Sequence, residues 1–104
     1  MKTITTMDEV NKAISNPFTL FIIKTKTCST CAMITPHLKN QLVYLDRFPV
    51  YEIFVDEFEA FRGEYVVFSV PTVLIFSEGK EILRESRFIN THKVNRLITS
   101  FFDE

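Results

Sequence analysis

Residues 18–23, Phe-Thr-Leu-Phe-Ile-Ile, are apolar on both alternating sets of positions, not on one set only. Successive side chains of a strand point to opposite faces, so a strand with this pattern must be covered on both sides. Residues 50–55 (Val-Tyr-Glu-Ile-Phe-Val) and 72–76 (Thr-Val-Leu-Ile-Phe) carry nearly the same pattern. Strands of this kind belong in the middle of a sheet with helices packed on both faces, an α/β arrangement. The length of 104 residues fits one domain, spanning 1–104. Apolar residues make up 46% of the chain, enough to build that core without covalent staples.

Between the first two apolar segments, a helical pattern runs over about residues 29–46. Met33, Ile34, Leu38, Leu42 and Leu45 lie at helical spacing, and Pro36 inside the segment is expected to kink it. Residues 77–80, Ser-Glu-Gly-Lys, form a turn so short that residues 72–76 and 81–85 must pair as a hairpin. Residues 91–102 place Val94, Leu97, Ile98 and Phe101 on one helical face, with Asn90 or Thr91 as the cap. A short helix over residues 8–15 follows a small edge strand at residues 3–5. The order is therefore β-α-β-α-β-α-β-β-α. A parallel βαβ half precedes an antiparallel ββα half, which predicts a mixed central sheet flanked by helices on both faces.

Twelve basic residues oppose thirteen acidic ones, leaving a formal charge of −1. No basic field is present to gather nucleic acid or an anionic membrane, so neither partner is expected. The apolar runs are too short to cross a bilayer. The N-terminal stretch lacks the continuous apolar region of a secretory signal. The expected compartment is the reducing cytoplasm, where structural disulfides are rare. A monomer is the default.

The two cysteines, Cys28 and Cys31, stand in Lys-Thr-Lys-Thr-Cys-Ser-Thr-Cys, between a strand and a helix opening near Ser29. A thiol at a helix N-terminus is driven toward thiolate by free N–H groups and the helix dipole. Lys24 and Lys26 add positive charge, with no acid in this stretch to cancel it. Cys31 is one turn away, so roughly 5 Å between Cα atoms permits a disulfide with little backbone movement. This predicts that an exposed Cys28 attacks and a shielded Cys31 resolves the mixed disulfide. As a structural staple the pair would be badly placed, because closing so small a loop contributes only about 2 kcal/mol. A metal site would lack its other half, since only His37 and His92 remain as soft ligands, without paired spacing. A metal shared between two subunits stays open. Nothing beside Cys28 matches a peroxide-activating Arg/Thr arrangement.

Taken in register, Phe-Ile-Ile-Lys-Thr-Lys-Thr-Cys-Ser-Thr-Cys-Ala-Met-Ile-Thr-Pro, Val-Tyr-Glu-Ile-Phe-Val-Asp and Ser-Val-Pro-Thr-Val-Leu-Ile-Phe-Ser-Glu-Gly-Lys resemble the thioredoxin family over nearly the whole chain. The resemblance implies a thioredoxin-like fold and a cis-Pro71 beside the sulfurs. It also implies a substrate groove formed by Thr27, Ser69, Val70 and Pro71, with the Val70 backbone gripping an extended substrate. Pro71 otherwise reads as an ordinary proline opening a strand.

The chain departs from the family pattern at several places. Thr27 replaces the usual Trp, and Ser29-Thr30 replaces Gly-Pro, restoring a backbone donor near Cys28 and adding two hydroxyls that reach the sulfur, cap the helix or do both. More donors favour the thiolate and a more oxidising couple. Ile22 occupies the place of the family's buried acid, and Glu52 that of its lysine. Glu52 is then either the proton acceptor for Cys31 or a side chain reaching water. Arg87 stands where a Gly is common, either narrowing the groove, recruiting acidic substrates or simply solvated. Phe58, Phe61, Tyr65 and Phe68 read mainly as core, with Phe68 close enough to Ser69 and Val70 to line the groove. His37 and His92 read as surface residues.

These features predict a thiol–disulfide oxidoreductase that needs no organic cofactor and no metal. Its substrates would be protein or small-molecule disulfides, and a reductase or low-molecular-weight thiol would supply electrons. The rival reading is a thioredoxin-fold adaptor or redox-sensing binding module.

Overall fold

In a computed structural model, which describes residues 1–103, five strands form one sheet in the order β1-β3-β2-β4-β5. The strands are β1 (Lys2–Thr3), β2 (Thr19–Lys24), β3 (Val50–Phe54), β4 (Thr72–Ser77) and β5 (Lys80–Ser86). The helices are α1 (Met7–Ile14), α2 (Cys31–Gln41), α3 (Glu59–Tyr65) and α4 (Thr91–Phe102), with a short 3-10 turn at Val55–Glu57. β1, β3 and β2 are mutually parallel, whereas β4 runs antiparallel to both β2 and β5. The expected mixed sheet is present, and β4–β5 is the expected hairpin.

β2 is central and buried at all six positions. Its alternation divides the core in two. Phe21 and Ile23, with Leu74 and Phe76 of β4, pack under α1 and α3 with Val10, Ala13, Ile53 and Phe61. Leu20 and Ile22, with Val73 and Ile75 of β4, pack on the opposite face under α2 and α4 with Ile34, Leu38, Val94 and Ile98. Because residues opposite one another in a ladder share a face, Glu52, paired with Ile22, faces α2, and so does Lys24, two residues beyond Ile22.

Local signals set the element ends. Thr6 caps α1 by accepting from the Glu9 N–H, while the Glu9 carboxylate accepts from the Thr5 N–H. Asn90 caps α4 by accepting from the Lys93 N–H. Arg84 of β5 donates to the carbonyls of Tyr65 and Val66, satisfying the frayed C-terminus of α3.

Three expectations are corrected. α2 covers Cys31–Gln41 and not residues 29–46, because the chain turns extended at Leu42. Leu42 is still buried in the α2/α4 core and Leu45 packs against it, so their apolar spacing reflected burial and not helix. Phe68 is not core: it is 77% exposed, while Phe58 and Phe61 are buried and Tyr65 is half-buried. The edge strand is Lys2–Thr3, and Ile4 turns inward to the core.

Phe21 is fully buried against the rings of Tyr51, Phe61 and Phe76. Phe21→Ala is expected to lower unfolding stability by about 3–5 kcal/mol, measured as a drop in the denaturation midpoint.

Candidate functional site

The loop that follows β2 carries Cys28, and α2 begins at Cys31. The register pairs Ile23 with Thr72 and Thr72 with Ser86, so this loop, Pro71 and residues 87–88 all lie at one end of the sheet. The Val70–Pro71 peptide is cis. Arg87 donates its N–H to the Pro71 carbonyl at 2.7 Å, which joins the β5 end to the proline. Thr72 ties the same corner by donating to the Ser69 carbonyl at 2.7 Å. Among the described residues, neither the N–H nor the C=O of Val70 takes a hydrogen bond.

Both cysteines are free thiols. The Cys28 sulfur accepts from the Cys31 N–H at 3.2 Å and lies 3.2 Å from the Thr30 hydroxyl. Hydrogen bonds from the Cys31 thiol, then the Thr30 side chain, then the backbone N–H groups of Cys31 and Thr30, hold Cys28 below the ordinary thiol range. Thr30 is the α2 N-cap by position, yet its hydroxyl makes no capping bond. It serves the sulfur instead, and this decides between its two expected roles. Cys31 is 1% exposed, and its thiol is pushed up to about 11, first by burial, then by its hydrogen bond to Cys28 and the Cys28 charge. The pair is therefore asymmetric: Cys28 is only half-buried and favours thiolate, while Cys31 is shielded and keeps its proton.

Both lysines meet acids that the local sequence did not show. Lys24 binds Glu52 Oε2 and also donates to Thr35 Oγ1 at 2.9 Å, while Thr35 donates to the same carboxylate at 3.0 Å. Lys26 pairs loosely with Glu57 at 3.8 Å, and its N–H donates to Asp56 at 3.1 Å. The cancelling acids come from β3 and the turn after it, about thirty residues away, where a reading of the loop alone could not see them. Burial pushes the Glu52 carboxyl up, but hydrogen bonds from Lys24 and Thr35 and the charges of Lys24 and Lys39 outweigh it and hold Glu52 below its usual range. Glu52 is half-buried and held by Lys24 and Thr35.

A cleft of about 240 Å³ opens beside the sulfurs, lined by Lys24, Thr25, Lys26, Cys28, Cys31, Ala32 and Phe54. Thr27, before Cys28, is exposed, and Ser69 and Val70 are half-buried next to the buried Pro71. Arg87 is exposed and takes φ +65°, in the left-handed region that favours glycine. Phe88, which sequence reasoning missed, is 91% exposed one residue beyond Arg87. His37 and His92 lie on the surface. Among the described residues, no three His, Cys, Asp or Glu side chains gather as a metal site.

A family model described as Thioredoxin matches residues 2–101. The chain belongs to the thioredoxin family. It is 32% identical to the thioredoxin-like protein YdfQ of Bacillus subtilis over 82 residues, covering 76% of this chain and 70% of that one. It is 26% identical over 98 residues to a thioredoxin of Chlamydia caviae, covering 94% and 96%. Among solved structures, a mutant thioredoxin from Halobacterium salinarum superposes with a TM-score of 0.81 at 25% identity, covering 96% and 88%. Mitochondrial thioredoxin 3 from Saccharomyces cerevisiae shares the fold, with a TM-score of 0.80 at 21% identity, covering 96% and 94%. Membership implies disulfide substrates and a reductase. No helix among the described residues is long and apolar enough to cross a membrane.

Because the Thr30 hydroxyl stabilises charge on Cys28, the midpoint of Cys28 alkylation against pH should fall below the ordinary thiol range. Thr30→Val should move that midpoint upward and slow alkylation several-fold at neutral pH, as measured with iodoacetamide.

Proposed function

We propose that this protein is a thiol–disulfide oxidoreductase of the cytoplasm that works by dithiol/disulfide exchange. The observation that carries the reading is the inequality of the two sulfurs, one half-exposed and supplied with donors, the other buried. Cys28 thiolate attacks a substrate disulfide and displaces one substrate thiol. Cys31 then loses its proton and attacks the Cys28 sulfur, so the mixed disulfide breaks and the second substrate thiol leaves. The oxidised Cys28–Cys31 pair is returned to dithiol by a reductase or a small thiol. Thr27, Ser69, Val70 and Pro71 form the substrate groove, and the unpaired Val70 backbone offers an edge for an extended peptide. Glu52 was the candidate proton acceptor, and its fixed pairing with Lys24 weakens it as a direct base.

The second reading, a thioredoxin-fold adaptor or redox-sensing module, draws support from two exposed aromatics, Phe68 and Phe88, close in sequence to Pro71 and to Arg87, which bonds it. Exposed aromatic side chains are the kind that anchor protein interfaces.

Cys31→Ser should accumulate a mixed disulfide with a protein substrate such as insulin, whereas Cys28→Ser should abolish reduction altogether. An adaptor would keep its partner binding in the Cys28→Ser, Cys31→Ser double variant. The donors around Cys28 favour thiolate over disulfide, so the couple should have a potential above the value of about −270 mV typical of a strongly reducing thioredoxin. A potential at or below that value, from alkylation mass shifts in graded dithiol buffers, would contradict the argument from Ser29 and Thr30.

A further inference from the structure

The resolving step needs a thiolate on Cys31, and that sulfur is almost wholly buried. Taking charge into such a site is unfavourable unless an opposite charge stands close by. The charged groups around the site are few. Lys24 at the end of β2 and Lys26 on the loop line the cleft that both sulfurs line. Glu52 on β3 is paired with Lys24, and the charge of Lys39 on α2 also acts on Glu52. Lys26 is more than half exposed and leans toward Glu57 and the Phe54 ring. Lys24 is different: its side chain is only 10% exposed, and its ammonium is bound by the Glu52 carboxylate and the Thr35 hydroxyl. Thr35 lies four residues beyond Cys31 on α2, so both project from the same helix face.

We propose that Lys24 is the counter-charge that allows Cys31 to ionise during resolution, and that Glu52 and Thr35 are positioning residues acting through it. This rests on the exchange mechanism above and refines it. Lys24 lines the cleft that both sulfurs line and Glu52 does not, so the positive member of the pair is the one on the sulfur side. An ionised carboxylate placed nearer the sulfur would oppose the thiolate. Paired with the ammonium, it keeps a nearly buried cation charged and aimed. The same Lys24 charge already works against the upward pull of burial on Cys31. In the step itself, the Cys31 proton passes to water in the cleft and the Cys31 thiolate bonds to the Cys28 sulfur. The Cys28–substrate bond breaks, and its electron pair leaves on the substrate sulfur, which takes a proton from water.

The reaction of the reduced protein with 5,5′-dithiobis(2-nitrobenzoate) separates the two steps, because the first chromophore release reports Cys28 attack and the second reports Cys31 resolution. Lys24→Met is expected to move the pH dependence of the second release upward and slow it about tenfold or more at neutral pH, the equivalent of one pKa unit. The pH dependence of the first release should stay within about twofold. Lys24→Arg should restore the second phase, and Glu52→Gln, which leaves Lys24 less firmly charged and aimed, should shift the midpoint upward by less than Lys24→Met does. An unchanged second phase in folded Lys24→Met overturns the proposal, as does a Glu52→Gln shift larger than that of Lys24→Met, which would make Glu52 the base. If Lys24→Met does not fold, Lys24→Arg decides: a second phase kept near the parent's supports the proposal, and one slowed about tenfold or more overturns it. A parent protein that gives no second release at all would instead refute the exchange mechanism itself.

Discussion

The two middle strands, β2 and β4, are covered on both faces, and the rest of the molecule depends on that burial. Every position of β2 is buried, and five of the six in β4 are. Removing so much apolar surface from water is the main favourable term available to a chain this size. It also leaves little freedom of register, since sliding a strand by one residue would exchange the contents of the two cores. With register set, the ends of β2, β4 and β5 meet at one edge, and the loop with Cys28, the Pro71 turn and residues 87–88 are brought together there.

The site then exploits the start of α2. Backbone N–H groups at a helix opening need acceptors, and the Cys28 sulfur is one. Thr30 adds a hydroxyl at the same sulfur in place of a helix cap, so local helix stability is exchanged for charge stabilisation at the thiol. Cys31, first residue of the same helix, points into the protein. Two cysteines three residues apart thus acquire opposite tendencies from the same helix end. One is half-exposed and supplied with donors; the other is buried.

Much of this was legible beforehand. The element order, the β4–β5 hairpin, the Asn90 cap and the span of α4 follow from alternation, turn residues and helical spacing, all of which are local. The extent of α2 was not legible, because Leu42 and Leu45 continue an apolar rhythm after the helix has ended and serve the same core from extended chain. Phe68 misled, since an aromatic residue reads as core by composition, and the exposure of Phe68 and Phe88 emerges only in the tertiary structure. Arg87 could have been suspected, since a position where glycine is common often carries positive φ, and here it does.

By itself the sequence determined a two-faced sheet, a Cys-Ser-Thr-Cys pair at a strand-to-helix junction and a proline at the head of β4, since each arises from neighbours in the chain. Only the tertiary structure decided which charge meets which sulfur. Lys24 and Glu52 are 28 residues apart and become partners because parallel pairing of β2 with β3 puts Glu52 beside Ile22, on the face toward which Lys24 points. Electrostatic partnership depends on distance through space, and that distance exists only once the strands have paired.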